Sequence, residues 1–499
     1  MGLPRRPPLR SPLVLASALA LALGCTKSAP ASFAVPFPAC TAPAALQDVS
    51  HPTATVGDGT PGSCTAAALQ AAASGGGTIV FACGPAPITI PIASTIEVTK
   101  ETVLDGGGLV TLSGGGGARI LRLDSSYDRT TPRLTVQRLT FLDGASPRTG
   151  DDTADGGAAI YRNGGSLTVV DCTFQGNSAP APGQDIAGGA IYGFGGGETV
   201  IVGSTFTGNS ASNGGAVGSL NGDLTAVDAT FTGNAAAGTG GNPGQGGCGG
   251  AIYQDGTHER TTLCGVTING NKAGGLGGGV FRVSNDATGA FTLNASTVDS
   301  NQVTPAGAGN AGGLYLQGLA LEIANSTVSR NQAYYNGGLW ITGGAARVVN
   351  TTIAGNTATG SNGGGLWLSG TPSGFLLNCT IANNRSTGSA TVAGAIFGSG
   401  LLLANTLVAG NTAPYSIGCD QVHASSGGNL QWPGGAPCTA SPLLADPLLG
   451  ALGASGGPTE TLVPGPASPA RGLGRSCPPF DQRGQPRAGR CTVGAVEVP

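Results

Sequence analysis

A solenoid of short stacked strands is the fold this sequence predicts, and three regularities predict it. The first is a five-residue phrase written nine times: Thr, an apolar residue, two small or polar residues, then Asn. Its copies end at Asn177, Asn209, Asn234, Asn271, Asn301, Asn331, Asn356, Asn384 and Asn411, the last having Leu407 in place of Thr. The second is a Gly-Gly pair ahead of most copies, from Gly156-Gly157 to Gly364-Gly365. The third is a length asymmetry. The stretch from each pair to the following phrase is nearly constant, whereas the return varies from Asn209–Gly214 to Asn234–Gly249. Units of this kind bury their apolar face only by stacking on their neighbours. One side of each coil is constrained and the other accepts insertions, as in a right-handed parallel β-helix. The fold class expected is therefore all-β, with a short N-terminal helical cap and a C-terminal disulfide-bearing cap.

Each element of the repeat has a physical reason. Phe174, Phe206, Phe231, Ile268, Val298, Val328, Ile353, Ile381 and Val408 are expected to stack inside as the core. The Thr before each faces out, where a β-branched side chain suits a strand. The repeated Asn closes the strand at a turn, where it tolerates left-handed backbone. Stacked coil on coil, the nine amides are expected to bond one another as an Asn ladder. A second column lies six residues earlier, at Asn325, Asn350, Asn378 and Asn405, with Asp171 and Asp228 in earlier coils. Gly203 lies between those two aspartates, so they read as turn residues.

Composition narrows the classes. Of 499 residues 90 are Gly, only 10% are charged, and the net charge is −3. Glycines in register with β-branched residues read as turn punctuation, and the lack of a basic patch argues against nucleic acid. Arg5, Arg6 and Arg10 precede an apolar run from Leu13 to Leu23, which is short for a membrane span and reads as an export signal. Residues 1–25 are taken as signal, 26–60 as linker, 61–100 as N-terminal cap, 101–415 as β-helix and 416–499 as C-terminal cap. The cap reading rests on an Ala-rich helix after Cys64 and an apolar strand at Ile79-Val80-Phe81.

Twelve cysteines fit an oxidising compartment. Proximity suggests Cys64 with Cys83, Cys248 with Cys264, Cys419 with Cys438 and Cys477 with Cys491, although spacing alone does not settle connectivity. Cys172 and Cys379 share one repeat position, two before the apolar residue, and are expected to be buried, unpaired and inert.

Three segments resemble known families. Gly189-Ala190-Ile191 and Gly250-Ala251-Ile252, together with Phe-x-x-Asn, resemble the repeats of chlamydial polymorphic outer-membrane proteins over roughly residues 156 to 411. The tail runs through Asp446-Pro447-Leu448, Gly456-Gly457-Pro458-Thr459, Asp481-Gln482-Arg483-Gly484 and Gly494-Ala495-Val496-Glu497. It resembles the choice-of-anchor Q domain of bacterial surface β-helix proteins. Leu21-Ala22-Leu23-Gly24-Cys25 resembles a lipoprotein cleavage box, with Ala22 where Leu is usual. The resemblances imply export to a bacterial outer membrane or cell surface, or secretion, with Cys25 lipidated as the membrane anchor. No sorting signal follows the tail, so Cys25 is expected to serve in its place.

Candidate chemistry is sparse. Asp151, Asp152 and Asp155 form the densest acidic group and could hold Ca²⁺, a solvated loop being the simpler reading. His258-Glu259-Arg260 combines a titratable base with charges, but all three lie at a turn. Counting from each Gly-Gly pair, one column runs Ile191, Val217, Ile252, Phe281, Tyr315, Trp340, Trp367. Facing out, its four aromatics would make a stripe for sugar rings or a partner's apolar surface; facing in, they are core. Core is favoured by the uniform hydrophobicity of the column.

The expectation is a monomeric, non-enzymatic surface protein acting in adhesion, with a glycan or surface-protein ligand and no cofactor beyond the Ca²⁺ considered above. The alternative is a polysaccharide lyase or glycoside hydrolase working in a groove of the β-helix. Two carboxylates, or an acid and an arginine, converging in one cleft would favour the enzyme.

Overall fold

The computed structural model describes residues 39–498 except 305–308, 371–372, 389–392 and 417. The export signal and Cys25 lie outside the described residues. Within them the chain is an all-β, right-handed parallel solenoid of about a dozen coils. One coil shows the pattern: Ile160–Asn163 on the first face, Ser166–Val170 on the second, Thr173–Gln175 on the third. The next coil repeats it as Ile191–Phe194, Thr199–Val202 and Thr205–Thr207, each strand parallel to its predecessor. A seven-stranded sheet of two-residue strands follows the ladder asparagines. At about 4.8 Å per coil the rod is on the order of 55 Å long.

The interior is filled as expected. Phe174, Phe206, Phe231 and their aliphatic successors are all buried, none more than 3% exposed. The rings of Phe141, Phe174, Phe206 and Phe231 stack face to face at 4.6–4.9 Å. Every ladder asparagine is buried, and the ladder is continuous. Asn209 Nδ2, for instance, donates to Asn234 Oδ1 at 2.9 Å, while its own Oδ1 accepts from Asn177 N at 3.0 Å and Asn177 Nδ2 at 2.9 Å. One detail differs from expectation. The left-handed backbone falls on the residue before each ladder asparagine, such as Gly176, Ser300 or Arg330, and on Asp171, Asp228, Asn325, Asn350, Asn378 and Asn405. The ladder position itself is free to point its amide inward because its neighbour takes the turn.

The N-terminal end of the solenoid and one flank are elaborated. Helix Ala66–Gly75, capped by the Thr65 hydroxyl accepting from Ala68 N, packs Leu69 and Ala73 into the core beside Ile79 and Ile96. Within the stretch expected as linker, Ala54–Val56 pairs with Gly77–Phe81, and Gln47 N donates to Gln137 Oε1. Residues 446–498 fold back along the late coils. There the outward Thr327, Thr352 and Thr380, instead of facing water, bond Glu460 O, Gln482 Oε1 and Ala495 N. Asn378 and Asn405 of the second column donate to the Gly494 and Arg475 carbonyls of the same tail.

Disulfides join Cys64 to Cys83, Cys419 to Cys438 and Cys477 to Cys491. The expected Cys248–Cys264 pair is corrected: Cys264 bonds Cys40, and Cys248 is free and buried. The two lie on different faces of one coil. Cys248 packs among the rings of the first face, whereas Cys264 ends a second-face strand that the N-terminal segment crosses. Cys172 and Cys379 are free and buried, their thiols pushed up to about 12 by burial, which suppresses the reactive thiolate.

The last coils carry a built-in acid sensitivity. Burial holds His423 down to about 4, and its Nε2 has no partner. The native histidine therefore stays neutral where an unfolded one, with its usual value near 6.5, takes up a proton. That stability is present above about pH 6.5 and is lost as pH falls toward 4. Urea midpoints measured across this window should drop more steeply in the wild type than in His423→Gln.

Candidate functional site

The aromatic column is resolved by register. Ile191, Val217 and Ile252 continue through Val280, Leu314, Leu339 and Leu366, all buried in the core. Phe281, Tyr315, Trp340 and Trp367 belong one residue later, with Tyr161, Tyr192, Tyr253 and Phe397. The sequence column thus merges two, because from the fifth repeat onward the glycine run shifts by one. The ring column points away from the core, since successive strand residues alternate sides. It is nevertheless no open platform. Tyr192, Tyr253 and Phe281 are buried under the loops of the variable side, and only Trp340, Trp367 and Phe397 are half-buried. The rings also use their faces on one another: Tyr253–Phe281–Tyr315 and Trp340–Trp367 stack at 4.2–5.3 Å. Sugar stacking needs a free ring face, so this column is a structural ladder. At Gly156 a ring adds to the crowding, since a Cβ there would lie 2.1 Å from Ala187 O and 2.4 Å from Tyr192 Cδ1.

The inward position beyond the rings holds two arginines, Arg162 and Arg282, both fully buried. Arg162 donates to the Gly165 and Gly197 carbonyls at 3.0 and 2.9 Å; Arg282 donates to Thr261 Oγ1 and Glu259 O at 2.9 and 2.5 Å. Their forks tie down the turns between the first and second faces, and those turns carry the cleft described next.

Along that corner, successive coils place Glu101, Arg133, Ser166, Glu198, Asp223 and Arg260 in register, each immediately before or at the start of a second-face strand. Glu101, Thr130, Thr131, Arg133, Ser166, Gly196, Glu198 and Asp223 line an open cleft of about 490 Å³. Arg133 Nη2 meets Glu198 Oε1 at 3.1 Å across the Ser166 coil, both side chains about half exposed. Backbone N–H groups of Arg133 and Arg260 donate to Glu101 Oε2 and Asp223 Oδ1, each at 2.8 Å. Glu198 and Asp223 sit one coil apart, a rise of about 4.8 Å. An arginine and three carboxylates therefore share one polar cleft. Sequence reasoning missed it, although a signal was present. From the third of these coils onward the position stands eleven before the ladder asparagine (166 and 177, 198 and 209, 223 and 234, 260 and 271), whereas the coils of Glu101 and Arg133 carry no such asparagine.

The other candidates do not converge. Both Asp155 oxygens are occupied by Thr149 N, and its loop is closed further by Thr149 Oγ1 and Gly150 N. Asp151 caps its own turn through Thr153. For the Ca²⁺ considered at Asp151, Asp152 and Asp155 the outcome is plain: among the described residues no group of three His, Cys, Asp or Glu side chains is arranged to hold a metal. His258, Glu259 and Arg260 diverge. His258 Nδ1 meets Thr257 Oγ1 at 3.0 Å, Glu259 is buried, and Arg260 carries its main-chain bond to Asp223. The carboxyls that burial pushes up, Glu97, Asp185, Glu259 and Asp420, all lie outside the cleft lining.

Comparison with known proteins agrees with the class. Residues 278–427 match the model of a right-handed beta helix region. No curated protein matches the chain. Among solved structures it is similar to the periplasmic alginate epimerase AlgG, at 11% identity and a TM-score of 0.40, covering 68% of this chain and 78% of that one. It is also similar to PfbA, a surface adhesin of Streptococcus pneumoniae, at 11% identity and a TM-score of 0.32, covering 68% and 92%. A mannuronic acid specific polysaccharide family 6 lyase from human gut microbiota matches at 12% identity and a TM-score of 0.31, covering 71% and 81%. At these scores the likeness carries no argument about activity.

Proposed function

We propose that this protein is an exported polysaccharide-binding β-helix that acts in adhesion at the envelope surface, without catalysis. The cleft at Glu101, Arg133, Glu198 and Asp223 is the observation that carries the reading. It presents hydroxyls, carboxylates and a guanidinium on successive coils, and a linear sugar polymer offers matching hydroxyls at regular intervals along its length. General-acid work on a glycosidic bond asks for a desolvated carboxyl, whereas Glu198 is half exposed and paired with Arg133. Four disulfides suit export to an oxidising compartment. Lipid anchoring through Cys25 belongs to the same proposal, and Cys25→Ala should shift the protein out of the membrane fraction.

A second reading is favoured by one observation: Glu198 and Asp223 stand on adjacent coils in one open cleft, and a glycosidase works with a pair of carboxyl groups facing one site. Binding to a glycan array, read beside release of sugar ends from acidic and neutral polysaccharides, separates the two. Binding with no product is expected. Arg133→Ala should weaken it about tenfold while thermal stability barely moves, because an exposed ion pair contributes at most about 1 kcal/mol. Turnover abolished by Glu198→Gln would establish the enzyme instead.

A further inference from the structure

The two ends of the solenoid are finished differently. At the N-terminal end the helix Ala66–Gly75 covers apolar side chains of the first coils. At the other end the tail turns aside along the flank, and nothing among the described residues stacks on the last coil. Strand Leu443–Leu444 pairs only with Leu430–Trp432. The inward column ends there as Val408, Gln431 and Leu444, and Leu444 is 56% exposed. Six of the nine exposed large apolar side chains among the described residues fall in this region: Tyr415, Val422, Trp432, Leu443, Leu444 and Leu448.

We propose that this end is a self-association surface at which two copies of the chain meet end to end about a two-fold axis. Three observations choose a second copy as the occupant. The first is area. With a fully exposed aromatic offering about 150–250 Å², the six side chains leave roughly 500 Å² per copy, so a pair buries about 1,000 Å², where specific interfaces begin. The second is charge. No Lys or Arg occurs between Arg385 and Arg471, so the segments that carry these six side chains bring no cation of their own to seek an anionic lipid surface. The third is closure. Because the opposite end is finished by a helix, a C-terminal contact joins two copies and stops there, without growing into a fibre. A two-fold axis perpendicular both to the rod and to the Leu443–Leu444 strand makes the two edges antiparallel, so their outer main-chain groups can bond each other. The association replaces the expected monomer with a closed pair.

Sedimentation velocity on the purified chain from 1 to 100 µM tests this. A dimer whose population rises with concentration is expected, with small-angle scattering giving a longest dimension near twice that of one rod. Trp432→Asp with Leu444→Asp should lower the association constant at least a hundredfold, with an unchanged circular dichroism spectrum and thermal midpoint. Leu109→Asp, exposed but far from this end, should leave it intact. A wild type that stays monomeric at 100 µM, a dimer no longer than a single rod, or a double variant that still dimerises would each overturn the proposal. So would binding to zwitterionic lipid vesicles that Trp432→Asp with Leu444→Asp abolishes while the protein in solution remains a monomer.

Discussion

Replacing Asn301 by alanine should destabilise the protein by about 4 kcal/mol, read as a fall in the urea midpoint at constant slope. Asn301 sits mid-ladder with no exposure. Its Oδ1 accepts from Asn271 N and Asn271 Nδ2, each at 2.9 Å, and its Nδ2 donates to Ile268 O at 2.9 Å and Asn331 Oδ1 at 3.0 Å. Alanine keeps only the main-chain bonds, from its N–H to Asn331 Oδ1 and from Gln332 N to its carbonyl. The Asn271 N–H and the Ile268 carbonyl are then left buried without these partners, at about 1–3 kcal/mol each. Asn301→Asp should cost a comparable amount, since a carboxylate cannot donate to Asn331. If both variants melt within 1 kcal/mol of the wild type, the ladder is an ornament of the fold and not a support.

Gly188→Ala should be more damaging still, leaving little folded protein. Gly188 has φ +67°, and a Cβ there would lie 1.9 Å from the Ile191 carbonyl oxygen and 2.9 Å from Gly218 N, with no flexible side chain able to yield. Gly208 provides the control. Its φ is +63°, but its Cβ would meet nothing within 4 Å. Gly208→Ala therefore carries only the left-handed strain of about 1–2 kcal/mol, and soluble yield with melting temperature measures the difference. Equal losses at the two sites would mean that backbone strain, not the close stacking of coils, is what the glycine pairs relieve.

The fold was legible because a solenoid repeats its constraints. Phe174, Phe206 and Phe231 are the same position seen three times, and one periodic reading predicts all their environments. What was illegible depends on residues far apart in the chain. Cys264 reaches Cys40 because the N-terminal segment crosses the second face, a path that spacing does not encode. The ring column was misplaced because a one-residue shift in the glycine run moves a side chain to the opposite side of a strand. The cleft was overlooked because Glu198 and Asp223 look like scattered surface charges until the phrases are aligned on their asparagines, and Arg133 lies in an earlier coil without the phrase, so only strand register places it beside them.

Sequence alone determined the stacked-coil architecture, the apolar interior and the amide ladder, since each follows from side-chain periodicity and from the need to satisfy buried polar groups. Tertiary structure alone decided which surfaces are free. The tail covers one flank, aromatic rings close over one another, and an arginine with three carboxylates is left open at a corner. That division has a physical cause. Burial inside a coil is dictated by neighbours in the repeat, whereas exposure outside it depends on where non-repeating segments come to rest.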